Sequence, residues 1–294
     1  MRKILKWIGI VIGGLIGLLI IAAAALFITG GSRLNKNYDI EPKAVAIVND
    51  EAAVERGEYL YSFTCSGCHG EGLGGTAFFD QSPIGYIPAS NLTSGQGGVG
   101  STYSDSDYVR AIRHGVNSSG KPLAIMPAQG FWHYSDEDLG AIIAYIRSSA
   151  AVDSDLGEKN LQPMGRILFA TGALGELAAD IIDHDAPHPE APEPGVTADY
   201  GEYLVNTADC RACHGQALSG GPGAEPGSPP GPNLTAGGEL VGWTAADFIH
   251  TMRTGVTPAG YELDTQYMPW QAYGRMTDDD LTAVFMYLQS LPAG

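Results

Sequence analysis

The chain has few cysteines and few basic residues, and both scarcities limit what it does. Only four of its 294 residues are cysteine, which is too few for a disulfide framework to replace a core in a chain this long. Lysine and arginine together number 16, against 33 aspartate and glutamate residues. This acidic balance argues against nucleic-acid binding and favours docking on basic protein surfaces, although it also serves ordinary solubility.

All four cysteines lie in two copies of one short motif, Cys-X-X-Cys-His. The first copy runs from Cys65 to His69 and the second from Cys210 to His214. Residues i, i+3 and i+4 of a helical turn share a face, so two thiols reach a porphyrin edge while the imidazole reaches its iron. The pattern is typical of covalent c-type haem attachment. Half a zinc site or a redox dithiol is the alternative, and neither accounts for a histidine directly after both pairs.

An uncharged, mostly apolar run covers residues 7–29, after Arg2, Lys3 and Lys6. A helix of that length crosses a hydrocarbon core of about 30 Å. The run is longer than a signal-peptide core of about 7–15 residues, so we expect residues 1–30 to be a transmembrane anchor with a short cytoplasmic N-terminus. A cleaved signal peptide, cut near Ala22–Ala25, is the alternative. Residues 31–49 would then form a short tether.

The two haem motifs sit in a longer internal repeat that predicts a duplicated domain. We expect domains at 50–150 and 197–294, joined by a linker at 151–196. Five features recur in the same order: Gly-Glu-Tyr-Leu at 57–60 and 201–204, the haem motif, Asn-Leu-Thr at 91–93 and 233–235, Met-Pro at 126–127 and 268–269, and an acid-initiated helix at 135–146 and 277–288.

The last repeated segment has the pattern of an amphipathic helix. Ser135 or Thr277 serves as N-cap, and three acidic residues follow in the first turn, where the helix dipole favours them. An apolar stripe at i, i+3, i+4 and i+7 should pack against the helix that carries Gly-Glu-Tyr-Leu. The predicted fold class is therefore all-α: an N-terminal transmembrane helix followed by two tandem haem domains.

The second axial ligand decides the chemistry of such a haem, because a closed six-coordinate iron mainly transfers electrons. Met126 and Met268 occupy matched positions, and the proline after each one stiffens the segment that presents the thioether. Met276 competes in the second domain, but Tyr134 stands at its aligned position. Three histidines do not recur in the other repeat and are expected at the surface or behind the ligands: His114, His133 and His250.

These features resemble class I cytochromes c, over both repeats. The tandem arrangement behind an anchor is similar to membrane-bound diheme cytochromes, including cytochrome subunits of extracytoplasmic dehydrogenases and respiratory complexes. Cytochrome subunits of the alcohol-dehydrogenase type usually carry three haems, whereas this chain has two motifs. The resemblance implies two covalently bound haem c groups. The expected haem-binding residues are Cys65, Cys68, His69, Met126, Cys210, Cys213, His214 and Met268, with His69, Met126, His214 and Met268 as axial ligands of the iron.

The resemblance also implies a location and a role. Haems of this type are attached outside the cytoplasmic membrane, so the haem domains should be extracytoplasmic, on a single-pass anchor. The expected function is an electron relay in a respiratory or photosynthetic chain, not an enzyme. Its partners would be a dehydrogenase, a quinol-oxidising complex, a terminal oxidase or a soluble cytochrome. The alternative is a diheme peroxidase-like enzyme with one open haem site, assisted by His114.

The linker has two parts with different patterns. Residues 164–182 are too apolar for a free linker, yet Arg166, Glu176 and Asp180 make them a poor spanning helix. We expect this part to pack between the domains or against a partner. Residues 185–195 are rich in proline and should form an extended, semi-rigid spacer.

Overall fold

The computed structural model describes residues 2–223 and 228–294 and is mostly helical. Helix α1 (Arg2–Leu34) projects from the rest of the molecule. Its most apolar 18-residue window has a mean hydropathy of 2.8, and none of that window is buried. Since these side chains find no cover within the protein, the length and composition of α1 suit a membrane span or a signal sequence.

An extended segment, residues 35–50, follows α1 and lies along the first domain. The Tyr38 N–H donates to the Gly120 carbonyl at 2.9 Å, and Arg110 Nε donates to the Ile40 carbonyl at 2.9 Å. Further along, Val45 and Ile47 pack against the core. The region expected to be a tether is therefore attached to the domain surface along its length.

The first domain begins with a helix capped by Asp50, whose side chain accepts from the Ala53 N–H. Its last helix is capped by Ser135, as predicted, and a reciprocal capping box between Ser104 and Asp107 starts the helix between them. The elements are α2 (Glu51–Thr64), α3 (Ser66–His69), β1 (Thr76–Gln81), β2 (Gly85–Ala89), α4 (Asp105–His114), α5 (Ala128–Phe131) and α6 (Asp136–Ser148).

The linker adds one short strand and two short helices to the first domain. Strand β3 (Asn160–Leu161) pairs antiparallel with β2, which gives a small sheet in the order β1-β2-β3. Helices α7 (Pro163–Thr171) and α8 (Ala178–Ile181) follow. A buried apolar cluster joins the end of α1, the linker and the first domain, with members Leu34, Ile87, Ala124, Leu161, Phe169 and Leu177. The apolar part of the linker thus packs internally, between α1 and the first domain.

The second domain repeats the plan of the first. Thr244 forms a capping box with Asp247, and Thr277 caps the last helix, as predicted. The elements are α9 (Ala198–Thr207), α10 (Cys210–His214), β4 (Ser219–Gly221), β5 (Gly231–Asn233), α11 (Ala245–Thr254), α12 (Trp270–Tyr273) and α13 (Asp278–Ser290). Strands β4 and β5 pair antiparallel.

The first and last helices of each domain cross at a glycine. A Cβ on Gly57 of α2 would lie 1.9 Å from the Ala141 carbonyl oxygen of α6, and one on Gly201 of α9 would lie 2.0 Å from that of Ala283 in α13. Only glycine allows backbones to approach so closely. The predicted apolar stripes of α6 and α13 are buried at these crossings, with members Leu139, Ile142, Ile143, Ile146, Leu281, Val284, Phe285 and Leu288.

The two domains face each other through a reciprocal pair of tyrosine contacts. The Tyr203 hydroxyl donates to the Asp138 carboxylate at 2.7 Å and accepts from the Ser135 N–H at 3.2 Å. In the same way, the Tyr59 hydroxyl donates to Asp280 and accepts from the Thr277 N–H at 3.0 Å. Each tyrosine of one Gly-Glu-Tyr-Leu segment thus binds the helix start of the other domain. We call these two sets the Tyr–Asp contacts.

Candidate haem-binding sites

The first haem motif opens onto a cavity of about 460 Å³ in the first domain. Cys65 ends α2, and the short helix α3 carries Cys68 and His69 on the next turn. The His69 N–H bonds to the Cys65 carbonyl at 3.0 Å, which holds the turn closed. All three side chains line the cavity, and Met126 lines it with them. The structure therefore brings the four predicted residues of this domain together.

The second cavity, of about 450 Å³, lies at the same place in the second domain. Cys210, His214 and Met268 line it. Cys213 lies on the same helix, α10, and is half-buried, but it is not among the residues that line the cavity. Met276, the competitor for the axial position, is buried and also lines this cavity.

Both motif histidines are oriented by a backbone carbonyl. His69 Nδ1 lies 2.8 Å from the Ser90 carbonyl oxygen, and His214 Nδ1 lies 2.9 Å from that of Pro232. An Nδ1–H that donates to a carbonyl leaves the Nε2 lone pair for a metal. Burial also lowers the pKa of both histidines, which favours the neutral imidazole that ligation needs.

The repeated Asn-Leu-Thr segment explains how each carbonyl is held. Asn91 Oδ1 accepts from the N–H of Thr93 at 2.9 Å and from its hydroxyl at 2.8 Å. Asn233 makes the same two bonds to Thr235, both at 2.8 Å. The carbonyl that receives each histidine belongs to the residue just before the asparagine. The match between the repeats was the sequence signal for this turn.

The four thiols have no disulfide partner. Burial raises the pKa of Cys65 and Cys210 to about 12 and that of Cys68 to about 11. No group of three or more metal-binding side chains exists within residues 2–223 and 228–294. The cavities are lined mainly by apolar side chains and suit a large apolar ring held by two thiols and an imidazole.

The three non-recurring histidines do not line either cavity. His114 is 2% exposed and lies with its Nδ1 3.0 Å from that of His184, so it is buried behind the cavity wall rather than at the surface. Its ring also packs edge-on against Trp132. His250 is exposed on α11. None of these positions supports a role for His114 beside an open haem site.

Contacts between the domains reach the haem motifs, which sequence reasoning missed. Arg275, after α12, donates to the Ser62 carbonyl at 3.2 Å and to the Ser66 hydroxyl at 3.1 Å, next to Cys65. In the reverse direction, Gln129 Nε2 donates to Asp209 at 2.8 Å, next to Cys210. The segment after each predicted methionine ligand therefore touches the haem motif of the other domain.

Comparison with known proteins finds two family models that match separate parts of the chain. Residues 52–146 match the family model described as cytochrome c oxidase, cbb3-type, subunit III, and residues 198–292 match the model described as cytochrome c. The chain thus carries two cytochrome c-type domains in tandem. Both keep the Cys-X-X-Cys-His spacing, which supports two covalently bound haem c groups.

Three curated relatives are cytochrome subunits of dehydrogenases. The fructose dehydrogenase cytochrome subunit of Gluconobacter japonicus is 28% identical over 82% of this chain and 53% of its own length. The gluconate 2-dehydrogenase cytochrome c subunit of Pantoea cypripedii is 31% identical, over 83% and 60%. The cytochrome c subunit of a quinone alcohol dehydrogenase of Gluconacetobacter polyoxogenes is 28% identical, over 92% and 61%. The aligned region spans little more than half of each relative.

Proposed function

We propose that this chain relays single electrons through two c-type haems and is not itself a catalytic subunit. The observation that carries the proposal is the duplicated cavity, in which a histidine and a methionine at matched positions line one space. A haem iron supplies reversible one-electron chemistry, and filling both axial positions restricts it to that role. The protein then has to hold, orient and bury the group.

The residues divide this work as follows. The carbonyls of Ser90 and Pro232 fix the imidazole rings, and the surrounding apolar side chains exclude water. We place the haem domains at 50–150 and 197–294, with 151–196 as the linker. We assign the haem contacts to thioethers at Cys65, Cys68, Cys210 and Cys213, proximal ligands His69 and His214, and distal ligands Met126 and Met268.

Spectroscopy of the holoprotein tests this function directly. We expect two covalently bound haems per chain, both low-spin with histidine and methionine ligands, and two one-electron steps in a potentiometric titration. Hydrogen peroxide should not be turned over. A high-spin haem together with peroxide turnover would contradict the relay and favour the peroxidase-like alternative.

The partner we propose is an extracytoplasmic dehydrogenase, since the relatives are named as cytochrome subunits of dehydrogenases. A net charge of −17 suits docking on a basic surface with rates that fall as salt rises. A quinol-oxidising complex, a terminal oxidase or a soluble cytochrome would then exchange electrons at the other end. Purification from membranes in mild detergent should recover the chain in a stoichiometric complex with a dehydrogenase, and a free pool would count against the subunit role.

We further propose that α1 stays in the cytoplasmic membrane and holds both haem domains on its extracytoplasmic side. The support is the exposed apolar run of residues 7–29 within a helix of 33 residues. This run is longer than the core of a signal peptide that is removed, which spans about 7–15 residues. The intact mass of the membrane-extracted protein should include residues 1–30, and a mass that begins after Ala25 would contradict the anchor.

A further inference from the structure

Helix α7 of the linker lies against the last turns of α1. A Cβ on Gly30 would be 1.8 Å from the Arg166 carbonyl oxygen, so the two helix backbones touch there. The Arg166 guanidinium also lies over the Phe27 ring, 5.1 Å from its centroid. Phe27 belongs to the apolar run that ends at Thr29. If that run spans a bilayer, Phe27 is about 3 Å inside its end, at 1.5 Å per residue.

The contacts also show which end of α7 points towards the bilayer. Arg166 contacts Phe27 and Gly30, whereas Phe169, three residues later, accepts at its carbonyl from Arg33 Nη1 at 3.1 Å. The two helices therefore run in the same direction: later residues of α7 contact later residues of α1, which lie farther from the apolar run. The first turn of α7, with Met164, accordingly lies nearest to the end of that run.

Apolar side chains reach the surface around that turn, next to the exposed polar side chains of Gln81, Ser82 and Gln162. Met164 is 46% exposed. Beside it lies the tip of the β1–β2 hairpin, held by the Gln162 N–H, which donates to the Ile84 carbonyl at 3.0 Å. At this tip Pro83 is exposed and Ile84 is half-buried. This apolar surface lies level with the end of the apolar run of α1. No other part of residues 2–223 and 228–294 packs over it.

The basic residues in this region differ in whether they have an acidic partner, depending on their position along α1. Arg33 and Lys36, beyond the apolar run, form ion pairs with Asp180 at 3.3 and 2.9 Å. Arg166, at the end of the run, has no carboxylate partner among the described residues, and its guanidinium contact is the Phe27 ring. Arginine at this height suits the phosphate groups of lipids, while its stem covers apolar surface.

We propose that Pro83, Ile84, Met164 and Arg166 form a membrane-facing patch that rests on the lipid bilayer beside α1. The inference depends on the proposed anchoring of α1 and goes beyond it, because an anchor alone would leave the domains free above the surface. In the arrangement seen here, the patch inserts apolar side chains at the headgroup boundary and Arg166 faces the phosphates.

The packing at the end of α1 also reaches the first haem site. Leu34 and Phe169 belong to one buried cluster with Ile87 and Ala124. Ile87 and Ala124 also line the first cavity. The first haem site therefore shares a wall with the part of the molecule that α1 anchors.

Depth-dependent fluorescence quenching tests the patch in the full-length holoprotein. All four cysteines are used for haem attachment, so Met164→Cys gives one free thiol for an environment-sensitive fluorophore. Met286→Cys is the matched control, because Met286 is 42% exposed on α13. Ile16→Cys, within the apolar run, is the positive control. Each labelled protein is placed in nanodiscs of phosphatidylethanolamine and phosphatidylglycerol, with or without spin-labelled lipids. The spin label lies near the headgroup for positions 164 and 286, and on the acyl chain for position 16, which is about 20 Å from the outer end of the apolar run at 1.5 Å per residue.

We expect spin-labelled lipid to remove most of the fluorescence at positions 164 and 16 and little of it at position 286. The ratio with and without quencher cancels the constant quenching by the haems. Quenching at position 16 with none at 164 would overturn the patch and leave the anchor intact. Loss of quenching at both positions would overturn the anchor and the patch together.

Discussion

At the scale of single residues, each haem motif depends on one carbonyl oxygen that the motif does not contain. Ser90 and Pro232 receive the two histidines, and the asparagine after each is folded back on a threonine. This arrangement selects the tautomer before any metal is bound, so it lowers the entropy cost of ligation.

Three methionines line the second cavity, Met252, Met268 and Met276, and a pair of substitutions separates the two candidates for the axial position, Met268 and Met276. We expect Met268→Ala to remove the sulfur ligand from one of the two haems, whereas Met276→Ala should change packing alone. The reason is that only Met268 has a partner at the matched position in the first domain. Magnetic circular dichroism of the ferric protein counts the sulfur-ligated haems. One such haem in Met268→Ala and two in Met276→Ala is the expected result, and the reverse would assign Met276.

Asp209 links the haem motif of the second domain to protein stability. Burial raises its pKa from 3.8 to about 7, and the hydrogen bond from Gln129 offsets part of this rise. A raised carboxyl pKa means that ionisation destabilises the fold, so stability falls as pH rises from about 4 to about 7 and stays low above that. Asp209→Asn should remove this fall and gain on the order of 2–4 kcal/mol at alkaline pH.

Denaturant unfolding of the holoprotein at a series of pH values measures that gain. Asp185→Asn, at an exposed position in the linker, changes the same charge without burial and serves as control. If the two variants unfold with the same pH dependence, burial of Asp209 has no energetic consequence.

Seven of the eight residues expected from the sequence line the two cavities, all but Cys213, because the repeat supplied an internal comparison for every position. Sequence alone could not predict Arg275 or Gln129 as contacts of the haem motifs, since Arg275 stands opposite His133 in the other repeat, and the recurrence of Gln129 as Gln271 does not say what either glutamine contacts. A contact between domains depends on how they pack, and no local pattern encodes it. For His114 the sequence left two positions open, the surface or behind the ligands, and the contact with the linker residue His184 that buries it could not be predicted.

At the scale of elements, each domain is closed by two helices that cross at a glycine. The pattern predicted these helices and their pairing, since caps, acidic first turns and apolar stripes all agree. The strands were outside the all-α expectation because they are two to six residues long and carry no alternation. The tether was also hard to predict, since its fixed position comes from bonds to distant residues such as Arg110.

The helix crossing makes a strong prediction for Gly57. A Cβ there would overlap the Ala141 carbonyl at 1.9 Å and the Tyr145 Cβ at 2.9 Å, so Gly57→Ala should force α2 away from α6. We expect a loss of about 1–3 kcal/mol, the usual cost of overpacking, despite the better helix propensity of alanine. Thermal unfolding of the holoprotein measures it. Gly72→Ala has open space around the new methyl and should be neutral; equal effects of the two changes would refute the crossing.

At the scale of the whole molecule, the Tyr–Asp contacts make the two domains one unit. Asp138 and Asp280 are 6% and 8% exposed, and a buried carboxylate requires partners. Asp138 also pairs with Arg56 at 2.7 Å, whereas the matched position of Arg56 in the second domain is Tyr200. The pseudo-symmetry is thus incomplete, and Asp280 depends more on its tyrosine than Asp138 does.

Because of that difference, we expect removal of the Tyr59 hydroxyl to lower the stability of the protein more than removal of the Tyr203 hydroxyl. Tyr59→Phe leaves the Asp280 carboxylate and the Thr277 N–H without the partner that served both, at a cost of about 1–3 kcal/mol per unsatisfied buried group. Tyr203→Phe leaves Asp138 its two bonds from Arg56, at 2.8 and 2.7 Å, so it should cost less. Chemical unfolding gives both energies, and small-angle scattering detects separation of the domains. Tyr261→Phe, at a 66% exposed position of the second domain, should change neither.

Domain separation in Tyr59→Phe should also slow electron exchange between the haems, because Arg275 and Gln129 of the same interface contact residues next to the haem motifs. An exchange rate that is unchanged in a separated variant would show that the interface does not set the path between them.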